Sequence, residues 1–358
     1  MFETYKSKLI GIDVEDQEAV DNTLHEIDGT TNFSKIGGNI STGISVSAAK
    51  LAALESNLGL YQYIYEKYTR KMGISKKIPG LVGNVIGGGV HSNNKMSIQE
   101  VLLVTGDKDT IENAKTNIKI HASIGEYLKS KNLAIGLNIE NAWNTKLSDI
   151  EAIETASEFA SRESSHTRIG VDFAASEFFN RRKYKFVDSV ESKRKKAISR
   201  EQHISVVENI AKKYNLTYIE DPLDSNDFEG FAELTKQIGS KALIVGDDLY
   251  ATNRERLREG IKVNATNAIL IKVNQVGTLC DVLDTIELAH SKSIKTVVSH
   301  RSGETTDAFM SHLAVAFGSE YIKCGIIRGE RIAKINELAK IEAIEKGDEQ
   351  QGPVRTNK

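Results

Sequence analysis

Residues 243–247 read Leu243-Ile244-Val245-Gly246-Asp247, and residues 269–272 read Ile269-Leu270-Ile271-Lys272. Each is a short apolar run closed by one charged residue, the pattern of a buried strand that delivers a polar group to the edge of a sheet. The pattern recurs on both sides. Ile169-Gly170-Val171 ends in Asp172, Leu216-Thr217-Tyr218-Ile219 in Glu220, Thr296-Val297-Val298-Ser299 in His300, and a further run ends at Lys323. Helix-like segments separate most of these runs. The segment after Lys272 carries Leu279, Val282, Leu283 and Ile286 on one stripe. Alternating strands and helices predict an α/β protein with a parallel sheet, and this many units favour a closed barrel over an open doubly wound sheet. In a barrel the C-terminal strand ends converge on one mouth, where these polar residues are expected to meet.

Upstream, Leu81 to Ile86 and Val101 to Val104 read as neighbouring strands joined by a Gly- and Asn-rich turn. Two helices follow. Ile111, Ala114, Ile118 and Ala122 predict the buried face of the first, and the second is expected from about Ser148 to Ala160. Pro79 and Gly80 mark the expected boundary. Residues 1–78 read as a helical part, with Ile44, Ala48, Leu51 and Ala52 at helix spacing and a short helix around Thr23 to Glu26. Residues 79–345 read as the barrel, and 346–358 as a polar tail.

The bulk properties exclude several functions. The chain has 358 residues, 40% hydrophobic and 27% charged, with a formal net charge of −2. Near-neutrality provides no field to recruit nucleic acid or an anionic membrane, and no apolar run has the length to span a bilayer. Two basic runs, Arg181-Arg182-Lys183 and Lys193-Arg194-Lys195-Lys196, read as a solvated excursion after the Asp172 strand. Two distant cysteines, Cys280 and Cys324, give no disulfide framework, and the N-terminus lacks a secretory apolar region. The expected setting is cytoplasmic.

Asp172, Glu220 and Asp247 on different strands would repel one another unless a cation lay between them. A set of oxygen ligands without Cys or His suits Mg²⁺, with Mn²⁺ as a substitute. Lys272 is expected to act as a base, its ammonium disfavoured by burial and a nearby metal. His300-Arg301-Ser302-Gly303 supplies donors at a strand end and the start of the next helix, a suitable place for a phosphate. Gly87-Gly88-Gly89 lacks the Lys-Ser/Thr ending of a P-loop and reads as a turn carrying His91 towards the mouth.

The segments Ile169 to Phe178, Ile219-Glu220-Asp221-Pro222, Val245 to Leu249, Leu270 to Gln275, Val298 to Thr305, Tyr321-Ile322-Lys323 and Arg328-Gly329-Glu330-Arg331 together resemble the enolase family in content, order and spacing. The resemblance runs from about Leu9 to Glu345. It implies an enolase-type (β/α)8 barrel of ββαα(βα)6 order behind a shortened helical N-terminal domain without its β-meander. It implies reversible dehydration of 2-phosphoglycerate to phosphoenolpyruvate, with a Lys base and Mg²⁺ as cofactor. By position, Asp172, Glu220 and Asp247 match the metal ligands and Lys272 the base. Glu140 matches the acid that helps the hydroxyl leave, with Glu100 as its partner. Gln99 and Lys323 would contact substrate, and His91, His300, Arg301 and Ser302 would surround its phosphate and reacting end. The implied partners are a small phosphorylated carboxylate and further copies of the chain, with a second chain as a candidate to complete the site.

Three departures from the family pattern shape the alternatives. The chain opens well into the usual N-terminal domain, so the mobile Ser-containing loop that closes over substrate is expected to be missing. The loop around the acid reads Asn138-Ile139-Glu140-Asn141-Ala142-Trp143 in place of a Gly- and Pro-rich one. A usual Asn before His91 is replaced in Gly87-Gly88-Gly89. The competing readings are a related enzyme acting on another carboxylate through the same metal and lysine, and an impaired paralogue with a regulatory or assembly role.

Overall fold

The computed structural model of the chain describes residues 2–92, 94, 96–186 and 196–347. The second basic run falls almost wholly outside them, as do 348–358 of the expected tail.

Before Gly80 the described residues are helical. They form α1 (Phe2–Leu9), α2 (Gln17–Asp28), α3 (Gly38–Glu55) and α4 (Leu60–Ile64), and α4 runs into a π-helical turn at Tyr65–Thr69. The helix expected around Thr23 is longer than its sequence signal, because Asp16 caps its start by accepting the Ala19 amide. Val20, Leu24, Phe33 and Ile36 form a small core between α2 and α3.

The barrel follows in the order β1 (Gly80–Gly87), β2 (Glu100–Thr105), α5 (Thr110–Ser130), a hairpin of β3 (Ala134–Leu137) and β4 (Trp143–Thr145), and α6 (Asp149–Glu163). Then come β5 (Arg168–Asp172), a three-stranded excursion of β6 (Phe179–Asn180), β7 (Lys183–Phe186) and β8 (Lys196–Ile198), and α7 (Arg200–Lys213). The remainder alternates: β9 (Tyr218–Glu220), α8 (Phe228–Ile238), β10 (Leu243–Gly246), α9 (Arg254–Val263), β11 (Ala268–Ile271), short α10 (Val273–Val276), α11 (Leu279–Ser291), β12 (Lys295–Ser299), α12 (Phe309–Ala316), β13 (Tyr321–Gly325) and α13 (Gly329–Lys346). Strands β1, β2, β5 and β9 to β13 form the eight-stranded ring, closed by parallel pairing of β1 with β13. Only β2 runs antiparallel to its neighbours, which gives the ββαα(βα)6 order.

The ring's interior is packed by Val82, Leu102, Val104, Tyr218, Val245, Ala268, Leu270 and Val297. A larger apolar layer lies between strands and helices. The interior is therefore solid below and polar only at the C-terminal end of the parallel strands, which leaves one place for a site.

Three local expectations are corrected. In α5, Ile111 and Ile118 are exposed, and the buried face carries Ala114, Asn117, Ile120, His121, Ile124 and Leu128. The polar members of that face have partners: Asn117 donates to Thr105 Oγ1 at 3.2 Å, and His121 Nε2 contacts the Asn141 carbonyl at 3.0 Å. Lys323 does not end its strand, since β13 continues to Gly325 in register with Asn84 of β1. His300 to Gly303 form a loop rather than a helix start, because α12 begins only at Phe309.

Candidate active site

Sheet register assembles the site. Glu100 of β2 lies opposite Asp172 of β5, and Asp172 lies beside Glu220 of β9, so three acids stand in one row across adjacent strands. Lys323 reaches them from across the ring. Its Nζ lies 2.8 Å from Glu100 Oε2, 3.0 Å from Asp172 Oδ2 and 2.8 Å from Glu220 Oε1. Below this row Tyr218 donates its hydroxyl to Glu220 Oε2 at 2.7 Å. Asp247 and Lys272, each one residue past its strand, pair directly through Asp247 Oδ2 and Lys272 Nζ. Gln99 donates to Asp172 at 3.3 Å, and Gln275 to Asp247 at 3.3 Å.

The strand ends turn sharply where they deliver these groups. Ala174 and Asp221 have φ of 43° and 39°, left-handed backbone that ordinary side chains rarely adopt. Asp221 accepts the amides of Asp247 at 3.0 Å and Asp248 at 2.6 Å, which fixes the turn after β10.

On the opposite wall Glu140 is buried. It accepts Asn84 Nδ2 at 3.0 Å and the Ser302 hydroxyl at 2.9 Å, and His300 Nε2 lies 3.8 Å from it. Gln99, Glu100, Glu140, Asp172, Asp247, Lys272, His300, Arg301, Ser302 and Lys323 all line one cavity of about 210 Å³. That is below the roughly 300–1,000 Å³ of sites for drug-sized ligands. It admits only a small polar molecule. Glu220 does not line it but is fully buried against Lys323, and the side chain of His91 lies outside the described residues.

Buried acids outnumber buried cations here, and their ionisation shows it. Burial, followed by the neighbouring Asp172, pushes Glu220 up to about 8. Burial and Glu140 hold Glu100 well above the usual carboxylate range. Asp248 is pushed up to about 6 by burial and Asp247. Asp247 moves the other way: burial opposes ionisation, but Lys272, Lys323 and Gln275 together hold the carboxyl below its usual value. Lys272, expected to be tuned by burial and a metal together, is pulled in two directions by the protein's own groups. Burial alone would lower its pKa, yet Asp247 and Glu220 raise it above the ordinary lysine value.

A divalent cation fits this arrangement. Asp172, Glu220 and Asp247 offer only carboxylate oxygens, which suits a hard ion, and the surplus of buried negative charge leaves room for two positive charges. The tightest acidic group among the described residues is a different one, Asp221, Asp247 and Asp248, whose oxygens lie within 4.8 Å of one another. It shares Asp247 with the expected set. In that group Asp221 accepts two main-chain amides, whereas Asp172 and Glu220 of the expected set pair with Lys323.

Sequence reading did not single out Asn84, Asp221, Asp248 or Arg331. Asp221 and Asp248 carried a usable signal, each sitting directly after a strand-end acid, Glu220 or Asp247. Arg331 is buried and touches His300; in sequence it closes the family-like segment Arg328-Gly329-Glu330-Arg331, which gives no sign of that contact.

Residues 75–352 match the family model for the enolase C-terminal TIM barrel domain, and residues 1–64 match that for the enolase N-terminal domain. The chain is 46% identical over 343 residues to the enolase of Picrophilus torridus, covering 94% of this chain and 82% of that one. It is 44% identical over 343 residues to the enolase of Thermoplasma acidophilum, with the same coverage. To the enolase of Archaeoglobus fulgidus it is 41% identical over 347 residues, covering 96% of this chain and 83% of that one.

Proposed function

This chain belongs to the enolase family, and from that premise we propose that it dehydrates 2-phosphoglycerate reversibly to phosphoenolpyruvate at the barrel mouth. It is a carbon–oxygen lyase. The observation that carries this reading is the single cavity in which Lys272, Lys323 and the strand-end acids face Glu140 and the His300–Ser302 loop.

The chemistry explains the residue types. Taking a proton from the carbon next to a carboxylate places a second negative charge on that group. Lys272 is the base for this proton. Lys323, fixed by three carboxylates, holds its ammonium charged beside the developing negative charge, and Gln99 lines the same wall. Asp172, Glu220 and Asp247 would hold Mg²⁺, which would supply the divalent counter-charge for the developing dianion. Glu140, across the cavity, is the acid that protonates the leaving hydroxyl. Glu100 supports it, since burial and the neighbouring Glu140 hold the Glu100 carboxyl well above the usual carboxylate range. Arg301 and Ser302, together with His91 and His300, bind the phosphate and the reacting end.

The two free cysteines fit a reducing, cytoplasmic compartment. No helix among the described residues is long and apolar enough to cross a membrane. Ile40, Leu51, Leu54 and Leu58 in and just after α3 are exposed, which fits a chain that associates with copies of itself.

The test follows phosphoenolpyruvate absorbance after 2-phosphoglycerate and Mg²⁺ are added to purified protein, with Lys272→Ala prepared identically. Activity in the parent and a loss of roughly 100-fold or more in the variant is expected. Equal rates in both would mark a contaminant and remove the assignment.

A further inference from the structure

Arg331, in the first turn of α13, is the largest fully buried side chain among the described residues. Its guanidinium joins two loops of the site. Nη1 lies 2.5 Å from His300 Nδ1 and donates to the Arg301 carbonyl at 2.7 Å. Nη2 donates to the Ser302 carbonyl at 2.7 Å and reaches the Ile139 carbonyl, next to Glu140, at 3.4 Å. The backbone makes room for it: a Cβ on Gly325 would meet the Glu140 carbonyl at 2.7 Å and Arg331 Cγ at 2.9 Å.

We propose that Arg331 is a positioning residue that holds His300 as a neutral imidazole protonated on Nε2, with that N–H facing Glu140. The argument is one of donors. A guanidinium has five N–H donors and no acceptor, so the ring nitrogen it touches must accept. With Nδ1 accepting, the proton of the neutral ring sits on Nε2, the nitrogen 3.8 Å from Glu140 Oε2. His300 is thereby a donor towards the acid and the reacting end of the substrate. It is not a proton acceptor there. The same contacts lock the Ile139–Glu140 loop to the His300–Ser302 loop, so the groups on the two loops move as one unit.

This inference rests on the reading of Glu140 as the acid, but its test needs no turnover. Protein labelled with ¹⁵N-histidine, with His300→Gln to assign the resonance, reports the tautomer directly. The parent is expected to show a pyridine-type Nδ1 and a pyrrole-type Nε2 at neutral pH. In Arg331→Met the ring should populate the other tautomer, and kcat should fall on the order of 100-fold with a smaller change in KM. Arg331→Lys, which keeps a donor, should restore part of both. A proton on Nδ1 in the parent overturns the proposal whether or not any variant folds. So does a folded Arg331→Met that keeps the parental ¹⁵N resonances of His300. Neither result bears on whether the parent turns over 2-phosphoglycerate.

Discussion

The main-chain amide of Cys280, in the first turn of α11, donates to the carboxylate of Asp21 on α2 at 3.0 Å. The contact joins the helical first part of the chain to the barrel helix that follows Lys272. It does not act alone. Ser45 Oγ accepts the Leu279 amide at 2.9 Å, and Thr42 donates to the Gly277 carbonyl at 3.2 Å. Gly277 has φ of 96°, and a Cβ there would meet the Phe33 ring at 2.4 Å. The helices of the first part thus supply partners for the free amides of α11 and close over the short turn Val273–Val276 that carries Gln275.

Asp21→Ala should destabilise the protein by about 1–2 kcal/mol, the usual cost of losing a side-chain cap. Urea unfolding monitored by circular dichroism measures this. Asp21→Asn, which keeps an acceptor, should lose less. An unchanged midpoint for Asp21→Ala would show that Ser45 and Thr42 suffice to hold α11.

Lys323 contacts all three of Glu100, Asp172 and Glu220 through its ammonium. Replacing it by methionine leaves three buried acids without their cation. Breaking a buried pair in this way costs about 3–5 kcal/mol. Lys323→Met should therefore unfold at clearly lower urea than the parent in the absence of divalent metal, and should also lose activity. Equal midpoints would mean the acids are already protonated around the lysine.

Magnesium should raise the melting temperature of the parent, because a ligand that binds only the folded state stabilises it by mass action, by about 2.7 kcal/mol at 100 times its dissociation constant. Glu220→Gln and Asp172→Asn should each remove most of that rise. A rise that survives both substitutions but vanishes in Asp248→Asn would move the cation to the Asp221, Asp247 and Asp248 group.

His203, in α7, is buried beneath the β6–β8 excursion, with its ring stacked on Tyr184 at 4.1 Å. Its Nε2 lies 2.9 Å from the Pro222 carbonyl, to which it donates. Burial pushes its pKa down to about 4. A histidine held below its unfolded value near 6.5 contributes stability that is complete above that pH. The contribution is lost as pH falls towards 4, with a total on the order of 3 kcal/mol. Unfolding free energy should decline across this window in the parent. His203→Gln should be less stable at pH 7 and show a flatter decline. An identical slope in both would assign the acid sensitivity to other groups.

Much of the fold was legible from local rules. Apolar runs ending in single charged residues marked the strands and pointed Asp172, Glu220 and Asp247 at one mouth, because a strand end fixes where its last side chain goes. Sequence periodicity failed in α5, where Asn117 and His121 are buried and Ile111 and Ile118 are not. There the buried polar groups found partners on β2 and the Asn141 loop, which no pattern along the helix can reveal. It also placed Lys323 at a strand end, whereas pairing with β1 carries that strand onward to Gly325.

By itself, then, the sequence determined the barrel, its order and the list of groups at its mouth, since these follow from alternation and chain order. Tertiary structure alone decided how those groups are charged and joined. Lys272 pairs with Asp247, Lys323 serves three carboxylates at once, and Arg331 ties His300 to the Glu140 loop. Each depends on distances between residues far apart in the chain, and both Coulomb interactions and hydrogen bonds are set by distance in space.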